Sequence, residues 1–259
     1  MRLSIEARLD YGFAEPADVL LQVEAAAMAD QRIEQESLVL WSDTPITAVP
    51  GEDGIGQRCW ARGEGRLVAE YRAVVQVERP AVVLADYPET PVRALPGALV
   101  AYLMPSRYCP SDRFEGFVRA EFAGLSGGAL AQALADWVRA ALHYRPGTSS
   151  GVTTALDTFA MRSGVCRDYA HLLVALARAA SIPARCVSAY APGVDPPDFH
   201  AVAELWLDGA WRLVDATGMA SCQDIARVAV GRDATDIAFM TIWGEAVMYG
   251  QSVAVRELR

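Results

Sequence analysis

Residues 163–183 read SGVCRDYAHLLVALARAASIP, and this stretch decides the fold. From Cys166 to Ala180 the apolar residues Ala170, Leu172, Leu173, Val174, Leu176, Ala177 and Ala180 cover nearly every face of a helix, and Ser181-Ile182-Pro183 stops it. A helix apolar all round belongs in the middle of a fold. Ser163-Gly164-Val165 ahead of it are small, so Cys166 sits at a helix mouth where backbone amides are exposed. Such a terminus favours an anion, here a thiolate or a developing oxyanion.

Outward from this helix the texture differs on the two sides. Upstream, an amphipathic helix is expected from Ala129 to about Tyr144, with Gly127-Gly128 ahead of it, Pro146-Gly147 ending it and His143 in its last turn. From Met1 to about Met104 the pattern is two-periodic, as in Leu3, Ile5, Ala7, Leu9 and again over 67–78, so half-buried strands are expected. Turn signals stand at Thr44-Pro45, Val49-Pro50-Gly51, Gly54 to Gly56 and Arg62 to Gly65. The proline-rich stretch Tyr87 to Pro110 reads as a linker that wraps rather than packs. Downstream, strands are expected over 185–190, 200–207 and 211–217, with later ones near 226–230, 237–243 and 253–257. The fold class is therefore α+β, an N-terminal antiparallel β-sandwich or barrel (1–104) followed by an α+β domain (105–259).

Composition narrows the function classes. The 259 residues carry 23 basic and 32 acidic side chains, a net charge of −9, and every basic residue is Arg. Such a chain has no field to attract a phosphate backbone, so nucleic acid is not an expected partner. The alternating first residues lack a signal-like apolar core and no run of about 18 apolar residues follows, so a soluble, cytoplasmic protein is expected. Five widely spaced cysteines (Cys59, Cys109, Cys166, Cys186, Cys222) contain no C-x-x-C pair, and most read as small buried hydrophobes. Zinc at Cys166, His171, Cys186 and Cys222 is disfavoured by spacing, and Asp195 with Asp198 is too sparse for calcium, so neither metal nor cofactor is expected.

Three histidines compete to serve Cys166 as a base. His171, five residues on, lies about 140° round the same helix and reads as a buried core residue. His143 reads as a helix-dipole partner. His200 opens a strand after the turn-rich APGVDPPDF. If Asp208-Gly209 makes a two-residue hairpin turn, Leu207 pairs with Ala210 and Trp206 with Trp211, and His200 and Asp215 become diagonal neighbours roughly 7 Å apart or less on one face. A three-residue turn would separate them. Cys166, His200 and Asp215 then form a nucleophile, base and orienter. Asp168 reads as a cap of the central helix, Asp198 as a residue that solvates its loop rather than tuning the site, and Arg232 with Asp233 as a pair in a turn.

The segments GVCRDYAHLLVALARAASIPARCVSAY, FHAVAELWLDGAWRLVDATG and VAVGRDATDIAF resemble the bacterial transglutaminase-like superfamily, and the chain before them resembles the β-rich domain that often precedes it. The resemblance implies a papain-like α+β catalytic fold in which Cys166 attacks an amide, His200 shuttles the proton and Asp215 orients the His. Val202 and Ala216 stand where the family usually has Trp and Pro. The expected activity is thiol-dependent hydrolysis of a peptide, isopeptide or other amide in a peptide or protein substrate, through a thioester. Acyl transfer to an amine, or a non-catalytic interaction module, are the alternatives.

Overall fold

The computed structural model describes residues 1–41 and 45–258, so Thr44 of the expected turn at Thr44-Pro45 lies outside the described residues. The chain begins with β1 (Arg2–Leu21), β2 (Gln31–Trp41), β3 (Thr47–Pro50) and β4 (Gln57–Val77). The alternation read from Leu3 to Leu9 is the burial pattern of β1, with Leu3, Ile5, Ala7 and Leu9 all buried. The expected turn at Arg62 to Gly65 is not made; β4 runs through it, and β1 and β4 share an irregularity between Phe13 and Ala17. Gly63 lies under the Phe13 ring, where a Cβ would come within 2.4 Å of it. The glycines that signalled a turn instead let two long strands stay paired across this irregularity.

Residues 84–113 form short 3-10 turns. They pack more than a wrapping linker would, with Leu84, Leu99, Tyr102 and Cys109 buried. Then come α1 (Glu115–Glu121), α2 (Gly127–Ala141), β5 (His143–Tyr144), α3 (Ala155–Met161), β6 (Ser163–Gly164) and α4 (Cys166–Ala179). α2 ends earlier than expected, so His143 is outside it and exposed, in a two-residue strand parallel to β6. α4 is buried from Asp168 through Arg178, as its all-round apolar face requires.

The remaining elements are β7 (Ala184–Tyr190), β8 (His200–Leu207), β9 (Ala210–Val214), β10 (Ala226–Gly231), α5 (Ala234–Ile237), β11 (Met240–Trp243) and β12 (Val247–Glu257). An antiparallel sheet in the order β10-β7-β8-β9 lies against α4. β11 and β12 do not join it. Both pair with β1, giving a six-stranded antiparallel sheet that begins and ends the chain. Local pattern cannot specify this return, because alternation marks a strand without naming its partner.

The two sheets are tied by buried charge. Glu204 of β8 accepts from Arg185 (2.7 Å) and Arg227 (2.7 Å), and these reach Asp53 and Asp30 of the N-terminal half. Glu204, Arg185 and Arg227 are buried, so each needs its counter-charge to offset desolvation.

Candidate functional site

Cys166 occupies the first turn of α4. Its position is fixed by a cap in which the Val165 N–H donates to Asp168 Oδ2 at 2.8 Å, as expected of Asp168. Gly164 must be glycine here, because a Cβ would stand 2.6 Å from that of Asp168. The thiol is half-buried, 4.0 Å from the carbonyl oxygen of Phe199, the residue before His200.

The hairpin deduced from Asp208-Gly209 has the expected register: Leu207 is opposite Ala210 and Trp206 opposite Trp211, whose rings meet edge to face at 5.4 Å. β9 ends at Val214 rather than Thr217, because Asp215 turns the chain. Its Oδ1 accepts from the Thr217 N–H (2.9 Å) and hydroxyl (2.7 Å), and its Oδ2 from the Ala220 N–H (3.0 Å). The same Oδ2 lies 3.0 Å from His200 Nε2, with both side chains buried.

Two opposing influences set the charge on His200. Burial disfavours the imidazolium, but the hydrogen bond to Asp215 and the nearby Cys166 sulfur outweigh it and lift the group to about 9. Burial likewise pushes Asp215 up, and the hydrogen bonds from His200, Thr217 and Ala220 bring it below the usual carboxylate range. His200 Nδ1 is buried and has no hydrogen-bond partner of normal geometry among the described residues. The ring is thus held through one nitrogen while the other is free to exchange a proton with the neighbouring sulfur.

Tyr144 was not singled out by sequence. Its phenol is pushed up to about 12 by burial and by the thiol of Cys166, while the Cys166 backbone amide acts in the opposite sense. The phenol is therefore within electrostatic reach of the sulfur and of the Cys166 amide. Only the pairing of β5 with β6 brings it there, and a two-residue strand leaves no periodic signal.

The other candidates fall elsewhere. His171 is buried, stacks on Tyr108 (5.1 Å between centroids) and accepts the Ala234 N–H through Nε2 at 3.1 Å. Burial, partly offset by Asp233, lowers it to about 3, so it stays neutral. Its neighbours are Cys109 and Cys186, with the three possible ligand atoms within 4.8 Å of one another; Cys166 and Cys222 are not in this cluster. Nε2 is taken by the Ala234 N–H, while Nδ1 is buried with no hydrogen-bond partner among the described residues. Arg232 pairs with Asp236 (2.9 Å) rather than Asp233, which instead caps α5 at the Thr235 N–H and accepts the Tyr108 N–H. A cavity of about 690 Å³ at the far end of α4 is lined by neither Cys nor His.

Comparison with known proteins bears on this site. The family description "Transglutaminase-like superfamily" matches residues 123–216, a span that includes Cys166, His200 and Asp215. A crystal structure of a candidate cysteine protease from Cytophaga hutchinsonii superposes with a TM-score of 0.94 at 32% identity, covering 100% of this chain and 91% of that one. The uncharacterized protein ML0607 of Mycobacterium leprae is 35% identical over 114 residues, 41% of each chain. The periplasmic domain of TgpA from Pseudomonas aeruginosa, bound to ethylmercury, aligns at 19% identity over 82% of this chain and 76% of that one, with a TM-score of 0.45.

Proposed function

Because the chain belongs to the transglutaminase-like superfamily, we propose that it is a thiol-dependent hydrolase of peptide, isopeptide or other amide bonds in a peptide or protein, with Cys166, His200 and Asp215 as its catalytic residues. The observation that carries the proposal is the His200 ring, tied to Asp215 through Nε2 with Nδ1 unpartnered beside the thiol. In this reading the Cys166 thiolate attacks the substrate carbonyl carbon and forms the C–S bond. The Cys166 amide and the Tyr144 hydroxyl steady the tetrahedral oxyanion. The His200 imidazolium gives its proton to the leaving nitrogen as the C–N bond breaks, leaving a thioester. Neutral His200 then takes a proton from water as the water oxygen attacks the thioester; the C–S bond breaks, the carboxylic acid leaves, and thiolate and imidazolium are restored. Asp215 stays ionised throughout, fixing the tautomer and stabilising the cation.

The five free cysteines suit a reducing compartment, which supports a cytoplasmic setting, and no helix is long and apolar enough to cross a membrane. The test is incubation of wild type and Cys166→Ala with a peptide library, read by mass spectrometry. Cleaved or deamidated peptides from the wild type alone are expected. Cross-linked products would assign amine transfer instead, and identical products from both proteins would refute catalysis by Cys166.

A further inference from the structure

The carbonyl oxygen of Phe199 lies 4.0 Å from the Cys166 sulfur, and the residue before Phe199 is Asp198. Its Oδ1 accepts the Phe199 N–H at 2.7 Å and the side-chain amide of Gln251, which projects from β12 where that strand pairs with Leu9 of β1. Phe199 is clamped in turn by Phe239, whose ring stacks on it at 3.9 Å, and by Tyr190 at 5.7 Å. The carboxylate is thus held by its own loop and by a strand of the six-stranded sheet.

Asp198 is exposed, and no ion pair to it occurs among the described residues. Both of its hydrogen bonds end on Oδ1, so Oδ2 is open. Through the Phe199 N–H and the Phe199 carbonyl, which is 4.0 Å from the sulfur, Asp198 lies within about 10 Å of the Cys166 thiol. Its charge is felt at the Tyr144 phenol beside that thiol. A basic side chain one or two residues from the attacked amide spans this distance, since successive Cα atoms are about 3.8 Å apart and Lys or Arg adds several ångströms.

We propose that Asp198, positioned by Gln251, is a specificity residue that selects substrates carrying an ammonium or guanidinium group next to the amide attacked by Cys166. This inference rests on the thiol-hydrolase reading and names the substrate class for it. A prepositioned carboxylate costs little ordering on binding, which is what separates it from a freely moving surface acid.

The test uses the full-length protein and two peptide libraries, identical except that Lys and Arg are replaced in the second by norleucine and citrulline. Wild type is expected to turn over the cationic library about three- to tenfold faster in kcat/KM, the difference lying in KM and shrinking at 1 M salt. Asp198→Asn should abolish the preference, Asp198→Lys reverse it, and Gln251→Leu weaken it. Alkylation of Cys166 by iodoacetamide at neutral pH should persist in all four proteins and be lost from each on adding Cys166→Ala, which shows that the thiol itself is intact. Equal turnover of the two libraries by a wild type that remains Cys166-dependent overturns the inference and leaves the hydrolase reading standing. Absence of any Cys166-dependent turnover overturns both.

Discussion

Replacing Asp215 by Asn leaves shape almost unchanged and removes the charge behind His200. The carboxylate accepts four hydrogen bonds, two at each oxygen. Asn supplies one oxygen and one NH2 group. If the NH2 takes the Oδ2 position it faces the Ala220 N–H, donor against donor; at the Oδ1 position it faces the Thr217 N–H. Either way a backbone donor loses its partner, which together with the lost charge is worth about 3 kcal/mol of stability. The kinetic effect is larger. Asp215 is the largest of the influences that favour the His200 cation, so without it the group should fall from about 9 toward its ordinary ~6.5. That fall removes up to about 3 kcal/mol of imidazolium stabilisation, on the order of a hundredfold in rate, and a wrong tautomer carries the loss toward about 10³ to 10⁴. Turnover of the most reactive library peptide should drop accordingly at a temperature where circular dichroism shows the variant folded. A folded Asp215→Asn protein within tenfold of wild type would refute the reasoning.

Three further outcomes follow from the same geometry. Because His200 is raised to about 9, the stability it contributes is fully present below ~6.5 and lost as pH rises through 9. Urea unfolding should therefore show wild type more stable than His200→Gln by about 3 kcal/mol at pH 6, with the gap shrinking toward zero by about pH 10; a gap that widens with pH contradicts this. Tyr144→Phe should lower kcat about tenfold while leaving KM and Tm in place, since it removes one oxyanion donor beside the Cys166 amide; an unchanged kcat would remove Tyr144 from the mechanism. Glu204→Gln should cost about 3 kcal/mol in denaturant unfolding, because Arg185 and Arg227 lose their shared buried counter-charge; a loss under about 1 kcal/mol would show the network to be dispensable.

What the sequence made legible was local. Apolar residues on every face marked α4 as buried, and two-period alternation marked β1. The Asp208-Gly209 turn fixed the register of β8 against β9, and with it the meeting of His200 and Asp215. What escaped depended on partners far along the chain. β11 and β12 carry the alternation of any strand, and only the unpaired edges of β1 determine that they return to the first sheet. Gly63 and Gly65 announced a turn in isolation, whereas Phe13 needs the glycine for room. Tyr144 reached the thiol through a strand too short to carry a period. Cys109 came beside His171 and Cys186 across an irregular segment, so no ligand spacing could disclose the cluster.

The central claim is that His200 governs the reactivity of Cys166. Its most direct measurement is the rate of iodoacetamide alkylation of Cys166, followed by peptide mapping from pH 5 to pH 10 in wild type and in His200→Ala. The account predicts that at pH 6 the variant reacts at least about tenfold more slowly, and that the two rates converge only in the alkaline range. Superimposable profiles would contradict it.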